Sequence, residues 1–383
     1  MKKYKGIALD IGTTNIVAAL ISGGDSIEGE ISPTYRVTNC QNIYAPDLIG
    51  RISAAEKDYK ALREALVFSV NCAVSEICAV AGVFADELYT VAVGNSLMSC
   101  FFAGLPVDGL GKSPYTAPSR FGKEYEIAGY IGGKAYIAPI IGSFVGGDVS
   151  AGIYRFARDR DGVLFIDAGT NGEVYGCYGG RRLACSAAAG PALEVGVGDV
   201  PFHQRGIDAV RTEGAIVSHT VGGELPQGLA GSGVIELISL LLGKECDERG
   251  KIEGGKVTLQ GGFEFTEEHV CRFQLAKAAL AAATLSVMRG LKMPPNALKK
   301  LYVAGARGSA VSEDALIRTG IIPAFAKGKT EFVGNSALQG SVLLTEEKAR
   351  QEIMALVSAT SVLPLEKSEY FKERFAEELF FYE

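Results

Sequence analysis

Ile7-Ala8-Leu9-Asp10-Ile11-Gly12-Thr13-Thr14 and Leu164-Phe165-Ile166-Asp167-Ala168-Gly169-Thr170-Asn171 are the two stretches that decide the fold. Each is an apolar strand that ends in Asp-x-Gly-Thr. Each leads into a second apolar run, over 15–21 in the first copy and 173–178 in the second. Strand, tight polar turn, strand is the pattern of a β-hairpin. The two aspartates stand about one domain's length apart, so the chain reads as an internal duplication. A glycine turn takes conformations closed to residues with a Cβ, and it can aim successive N–H groups at one spot, a nest for an anion. Two such turns with one carboxylate each suit a Mg-bound polyphosphate.

Gly12, Gly169 and Gly172 are the turn glycines, and Thr13, Thr14, Thr170 and Asn171 add side-chain donors. Asp10 and Asp167 repel a phosphate directly. Their place is on Mg²⁺, through its waters, because Mg²⁺ keeps part of its hydration shell.

With 383 residues, 48% of them hydrophobic, the chain has material for two cores. A net charge of −6 without a basic run argues against nucleic acid as a partner. The 48 glycines are dispersed at turn positions, as many short strands require. The first apolar run is too short for the core of a signal peptide. The longest, 275–288, carries Lys277 and reads as a buried helix, not a membrane span. The expectation is a cytoplasmic protein with no membrane partner. The eight cysteines contain no C-x₂-C pair, so they read as small buried hydrophobes and no iron–sulfur cluster is expected. His203, His219 and His269 have no ligand spacing and read as structural or surface residues.

Further along, apolar residues at helical spacing (Leu62, Leu66, Val70, Val74, Ile77) predict a long helix through residue 80. A strand over 89–93 leads through Gly94-Asn95-Ser96 to a helix. Residues 104–135, rich in Gly, Pro and Ser, read as a surface insertion. Asp148 follows Gly146-Gly147 and opens a helix to about 158, either as an N-cap or as a residue facing a ligand. Residues 200–228 read as irregular. Gly231-Ser232-Gly233 opens another helix, whose N-terminal amides suit an anion and whose glycines equally suit an ordinary loop. A strand over 299–304 runs into Gly305-Ala306-Arg307-Gly308 and a helix capped by Ser312. That turn is either a ligand loop or a tight strand-to-helix connection. After two phosphate turns it becomes the natural nucleoside site.

These pieces, in this order, resemble the actin/hexokinase/Hsp70 ATPase superfamily, across the whole chain. The resemblance implies a duplicated, ribonuclease H-like α/β fold of two domains closing around Mg-ATP in an interdomain cleft. A closer likeness rests on Asp10-Ile-Gly-Thr-Thr, Gly94-Asn-Ser-Leu-Met, Gly104-Leu-Pro, Phe144-Val-Gly-Gly-Asp148, Ile166-Asp-Ala-Gly-Thr-Asn-Gly-Glu173, Leu183-Ala-Cys-Ser-Ala-Ala-Ala-Gly-Pro191, Gly231-Ser-Gly, Gln274-Leu-Ala-Lys-Ala-Ala, Leu301-Tyr-Val-Ala-Gly305 and Gly334-Asn-Ser-Ala-Leu338. Together they are similar to the C-terminal ATPase region of reductive activators of corrinoid proteins. That implies ATP-driven, one-electron reduction of a Co(II) corrinoid protein to Co(I). It also implies a corrinoid protein as partner and ATP and Mg²⁺ as cofactors; a homodimer is a separate expectation about assembly.

The chain departs from that family in two ways. Family members usually carry an iron–sulfur domain joined to this region, whereas here residue 5 already enters the first strand. The expectation is a separate, ferredoxin-like electron donor. The family's adenosine loop usually reads Gly-Gly-Phe-Gly; Ala306 and Arg307 here put the base specificity in question, since Arg307 could stack on a base or could block or re-select it.

The resulting assignment has a first domain over 1–158, with its insertion near 104–135, and a second over 159–383 with a terminal helix. Asp10 and Asp167 organise Mg²⁺. Gly12, Thr13, Thr14, Gly169, Thr170, Asn171 and Gly172 hold phosphates. Gly231, Ser232, Gly233, Gly305, Arg307 and Gly308 shape the nucleoside side. Asp10, Asp148 or Asp167 orient the water if ATP is hydrolysed. The competing readings are a nucleotide-sensing chaperone or scaffold for a corrinoid protein and, ranked below it, a small-molecule kinase of the same superfold.

Overall fold

The structure, a computed structural model, describes residues 4–23, 31–169, 171–193, 196–198, 206–212, 216–220, 226–305 and 311–382. β1 (Tyr4–Ile11), β2 (Asn15–Ser22) and β3 (Ile31–Thr38) form an antiparallel meander. Then come α1 (Leu48–Ala81), β4 (Tyr89–Gly94), α2 (Ser96–Ala103), β5 (Lys123–Glu126), β6 (Lys134–Ile137) and α3 (Gly147–Phe156). A second meander follows, of β7 (Val163–Ala168), β8 (Gly172–Tyr178) and β9 (Arg181–Ala187). β10 (Gly206–Thr212), α4 (Gly231–Leu241), α5 (Glu267–Leu291), β11 (Lys300–Ala304), α6 (Glu313–Arg318), β12 (Thr330–Gly334), α7 (Ser336–Leu343), α8 (Glu347–Ser358) and α9 (Glu369–Glu377) complete the order.

The duplication is visible in the topology. One sheet runs β3-β2-β1-β4-β6-β5, and five strands of another run β9-β8-β7-β11-β12. In both, an antiparallel meander is extended by two parallel strands on the side of its first strand. The first Asp-x-Gly-Thr turn joins β1 to β2, and the second joins β7 to β8, so each occupies the same place in its sheet.

The chain divides into two compact units, Met1–Arg158 with Asn335–Ser361, and Asp159–Gly334 with Val362–Glu383. The sequence places 335–361 in the second domain; the structure packs it with the first. The cause is apolar burial. Leu338 and Val342 of α7 close over Ala8, Val17, Ala19 and Ile21, the face of the first sheet that α1 does not cover. The other face takes Leu62, Leu66, Val70, Val74 and Ile77 of α1, all buried. α1 is interrupted at Asp58, which leaves helical geometry and accepts a hydrogen bond from the Ala61 N–H at 2.9 Å, restarting the helix as an internal cap.

α1 and α5 are each long and apolar enough to cross a membrane by length and composition. Both contribute to the core of their own unit. In the second unit, α5 lays Leu280, Val287 and Leu291 against the β7–β8 hairpin. Within 200–228 the described residues hold strand, not irregular chain: β10 buries Ile207 and Val210 and pairs with Ile216–Thr220. Its apolar positions are few, which hides the strand among polar neighbours.

Candidate functional site

In the first unit Asp10 is the next-to-last residue of β1, opposite Val17 on β2 and Val93 on the parallel strand β4. Ends of parallel strands lie at one edge of the sheet, and helices start from that edge. Two of the helices around Asp10 begin with the same phrase, Gly94-Asn95-Ser96 before α2 and Gly334-Asn335-Ser336 before α7. Each asparagine does two things. Its carbonyl oxygen caps the helix, accepting from the Met98 N–H at 3.0 Å and the Leu338 N–H at 2.8 Å. Its amide group donates to the hairpin: Asn95 to the Thr13 hydroxyl oxygen at 3.0 Å, Asn335 to Asp10 Oδ2 at 2.7 Å. Accepting from Asn95 leaves the Thr13 hydroxyl its own proton to donate.

Asp148 stands in the first turn of α3, where its Oδ1 accepts from the Val149 N–H at 2.8 Å. Burial pushes its carboxyl up to about 7; the Asp10 charge adds to the rise, and the Val149 bond opposes it. Gly146 lets the Asp148 carboxylate and the start of α2 pack close to its backbone. A Cβ there would sit 2.5 Å from Asp148 Oδ1 and 2.6 Å from Asn95 Cα. Two neighbouring carboxylates, one held near neutrality by its surroundings, form a place that a hard divalent cation relieves. Oxygen donors of this kind fit Mg²⁺.

The turn itself is closed by the Gly12 N–H donating to Asn15 O at 2.9 Å. A Cβ on Gly12 would lie 2.6 Å from that same oxygen, so the turn requires glycine. Thr13 and Thr14 follow, both partly exposed.

In the second unit Asp167 lies opposite Glu173 on β8 and Ala304 on β11. Gly305, next after β11, has φ of +79° and its missing Cβ would fall 2.5 Å from Asp167 Oδ1. The structure therefore brings the second aspartate and the start of the candidate nucleoside loop together. Gly172 is a packing glycine, since a Cβ would press on Leu280 Cδ1 at 2.8 Å. Gly169 and Asn171 flank the turn and are partly exposed. Glu173 accepts from the Ser186 hydroxyl at 3.1 Å.

Gly231, Ser232 and Gly233 are buried at the start of α4. The Ser232 hydroxyl donates to Asp208 O at 2.8 Å, and a Cβ on Gly233 would come within 2.1 Å of Ile207 O. These residues seat α4 against β10. Thr170, Arg307 and Gly308 lie outside the described residues.

Among the described residues no three or more His, Cys, Asp or Glu gather as a metal cluster. Five cysteines are buried, and burial raises the Cys100 thiol to about 12 and that of Cys246 to about 11. His269 accepts from the Thr266 N–H at 3.1 Å in the capping box of α5, and His219 bonds Asp208. His203 lies outside the described residues. Asn95 and Asn335 are the site residues that motif reading passed over; the recurrence of Gly-Asn-Ser after a strand was the available signal.

Residues 161–383 match the family model described as the C-terminal domain of RACo, the ASKHA domain, and residues 5–160 match the RACo middle region. The corrinoid activation enzyme RamQ of Eubacterium limosum is 28% identical over 393 residues, covering 91% of this chain and 65% of that protein. The Co(II) methylated amine-specific corrinoid protein reductase of Methanosarcina barkeri is 31% identical over 244 residues, covering 56% of this chain and 45% of that protein. Among solved structures, a reductive activator for corrinoid, iron–sulfur protein superposes with a TM-score of 0.86 at 26% identity, covering 99% of this chain and 66% of that one. The chain thus spans less than two thirds of the length of each of these relatives.

Proposed function

This chain belongs to the RACo family, and we propose that it binds Mg-ATP and uses the nucleotide to support reductive reactivation of a corrinoid protein. In this reading one electron returns an inactive Co(II) centre to Co(I), and it comes from a ferredoxin-like donor outside these residues. The relatives named for corrinoid activation and Co(II) corrinoid reduction support the substrate class. The observation that carries the nucleotide part is the environment of Asp10: an asparagine donor at 2.7 Å, a second carboxylate raised to about 7, and a glycine turn beside it.

Asp10, with Asp148 near it, would hold Mg²⁺ in the first unit, and Asp167 is the corresponding carboxylate of the second. The metal supplies neutralisation of phosphate charge. The protein's own part is positioning: Asn335 fixes the Asp10 carboxylate, Asn95 fixes the Thr13 hydroxyl, and the turn presents Thr13 and Thr14. Phosphoryl transfer runs on positioning and charge stabilisation, so a carboxylate near neutrality such as Asp148 is sufficient to orient a water. A soluble, cytoplasmic setting fits these parts.

Thermal unfolding with Mg-ATP, Mg-ADP and Mg-GTP tests the first half. A nucleotide at a hundred times its Kd stabilises the chain by about 2.7 kcal/mol, and Asp10→Ala removes that gain. No shift with any nucleotide overturns the ATPase reading and leaves a scaffold. The second half is read anaerobically, as nucleotide-dependent loss of the Co(II) electron-paramagnetic signal of a corrinoid protein in the presence of a low-potential donor. Loss at the same rate without nucleotide refutes the coupling.

A further inference from the structure

Arg51 on α1 is the largest fully buried side chain of the first unit, at 0% exposure, and it has a guanidinium. Burial lowers its pKa only to about 10, so it stays charged at neutral pH. Among the described residues no carboxylate forms an ion pair with it. Asp47, whose charge partly offsets the burial, caps the helix through the Gly50 N–H at 2.8 Å. All five N–H donors of Arg51 instead meet neutral acceptors. Nε donates to Ala45 O at 3.0 Å, Nη1 to Gln41 Oε1 at 3.0 Å and to Met98 Sδ at 3.5 Å, and Nη2 to Asn42 Oδ1 and to Thr13 O at 2.7 Å. A buried cation with no direct ion pair is costly, and hydrogen bonds to neutral acceptors offset only part of that cost.

The bond to Thr13 belongs to a set. Three consecutive carbonyls of the hairpin turn are gripped from the same segment. Gly12 O accepts from Asn39 Nδ2 at 3.0 Å, Thr13 O from Arg51, and Thr14 O from the Asn39 N–H at 2.9 Å and from Asn42 Nδ2 at 3.4 Å. In a trans peptide the carbonyl of one residue and the N–H of the next point in opposite directions. With the Gly12 and Thr13 carbonyls drawn toward residues 39–51, the Thr13 and Thr14 N–H groups are turned the other way, off the free side of the loop. Two successive amides aimed outward from a glycine turn are the elements of an anion nest.

We propose that Arg51 is the positioning residue of the first phosphate turn: with Asn39 and Asn42 it orients the Thr13 and Thr14 amides toward the nucleotide's phosphates and places a buried positive charge behind them. This rests on the nucleotide reading above and names how that site recognises its anion. The guanidinium touches no substrate. Its fork holds a main-chain carbonyl, two side-chain amides and a second carbonyl at once, which the compact three-donor tip of lysine does not do.

The test is titration calorimetry of Mg-ADP and of Mg-imidodiphosphate, a polyphosphate without a nucleoside, well below the unfolding temperature. Wild type is compared with Arg51→Lys, Arg51→Met and Asp10→Ala. The expected order is wild type tightest, Arg51→Lys weaker and Arg51→Met weakest, with a total loss of about ten- to a hundredfold, the range seen when residues that orient ligating groups are removed. The loss is the same for both probes, because it acts through the phosphates. A merely structural arginine lowers the unfolding temperature and leaves both Kd values in place. If Arg51→Met does not fold, Arg51→Lys, which keeps the charge, decides the matter by the same criterion. Unchanged Kd values in the folded Arg51 variants, with Asp10→Ala still inactive in binding, overturn this proposal alone. Absence of binding by wild type overturns the nucleotide reading and this proposal with it.

Discussion

The two hairpins share a motif and a place in their sheets, but they are supported differently. Around the first, the neighbours of the turn are polar: Asn39, Asn42, Arg51 and Asn95 hold residues 12–14, and Asn335 holds Asp10. Around the second, the close approaches to its glycines among the described residues are largely apolar. Gly172 faces Leu280, Gly176 faces Leu291 and Val287, and Asp167 faces the bare α-carbon of Gly305. Apolar packing fixes where a strand lies, because it is non-directional. Hydrogen bonds also fix which way each peptide group points. On the described contacts, the carbonyls of the first turn are held by directional bonds, whereas the glycines of the second hairpin admit close packing and the approach of Gly305 to a carboxylate.

The largest effect expected from this difference lies in Asp148, the second carboxylate of the first hairpin's surroundings. Its carboxyl is raised from 3.8 to about 7, chiefly by burial. A raised acid contributes stability that is fully present below its unfolded pKa and is lost as pH rises through the folded value. Asp148→Asn keeps an oxygen for the Val149 N–H and removes the charge. The nucleotide-free variant should match wild type near pH 4, gain on it between pH 4 and 7, and level off above, by up to about 4 kcal/mol. Chemical denaturation across that range checks it. A constant difference at every pH means that Asp148 titrates normally, and that the polar surroundings of the first hairpin leave its carboxylates alone.

Much of this was legible in the chain itself. The repeated Asp-x-Gly-Thr gives the two meanders, and the spacing of Leu62, Leu66, Val70, Val74 and Ile77 gives the buried face of α1. What escaped was whatever depends on chain returning from afar. The 335–361 segment follows a strand of the second unit, and it is assigned to the first by packing on distant residues, Leu338 and Val342 beside Ala8 and Ala19 and Gly340 against Ala151 of α3. Arg51 reads as an ordinary residue in the first turn of a helix, since nothing local says that the Thr13 carbonyl will be its acceptor. Gly231-Ser232-Gly233 reads equally as a ligand loop and as an ordinary helix start, because glycines that admit a ligand and glycines that admit a neighbouring strand are spelled alike. The close approach of Gly233 to Ile207 O, a packing reason for that glycine, is visible only in three dimensions.

Gly305→Ala probes the second hairpin. Its φ of +79° and the 2.5 Å approach to Asp167 Oδ1 both oppose a Cβ. The variant should lose about 3 kcal/mol of stability, from backbone strain and displacement of a carboxylate together. Asn335→Ala probes the first. It removes a helix cap and a donor to a carboxylate, at a cost of about 2 kcal/mol. Asn335→Ser separates the two roles: serine still caps α7, but it lacks the amide that reaches Asp10. Stability should then recover while Mg-ADP affinity stays as low as in the alanine variant. If affinity recovers along with stability, Asn335 is a cap and nothing more, and the contrast between an aimed hairpin and a seated one loses its strongest support.

The smallest effect is expected at Ser232. Its hydroxyl is engaged by Asp208 O at 2.8 Å, and the residue is buried where α4 meets β10. Ser232→Ala removes one neutral hydrogen bond, so it should cost about 1 kcal/mol. Nucleotide affinity should stay within about twofold of wild type, a free-energy change well below one hydrogen bond. The informative result is the reverse pattern, unchanged stability with a large loss of affinity. It would return the Gly-Ser-Gly helix start to the ligand, and it would mean that the second unit, like the first, aims polar groups at the nucleotide from a place its packing alone does not reveal.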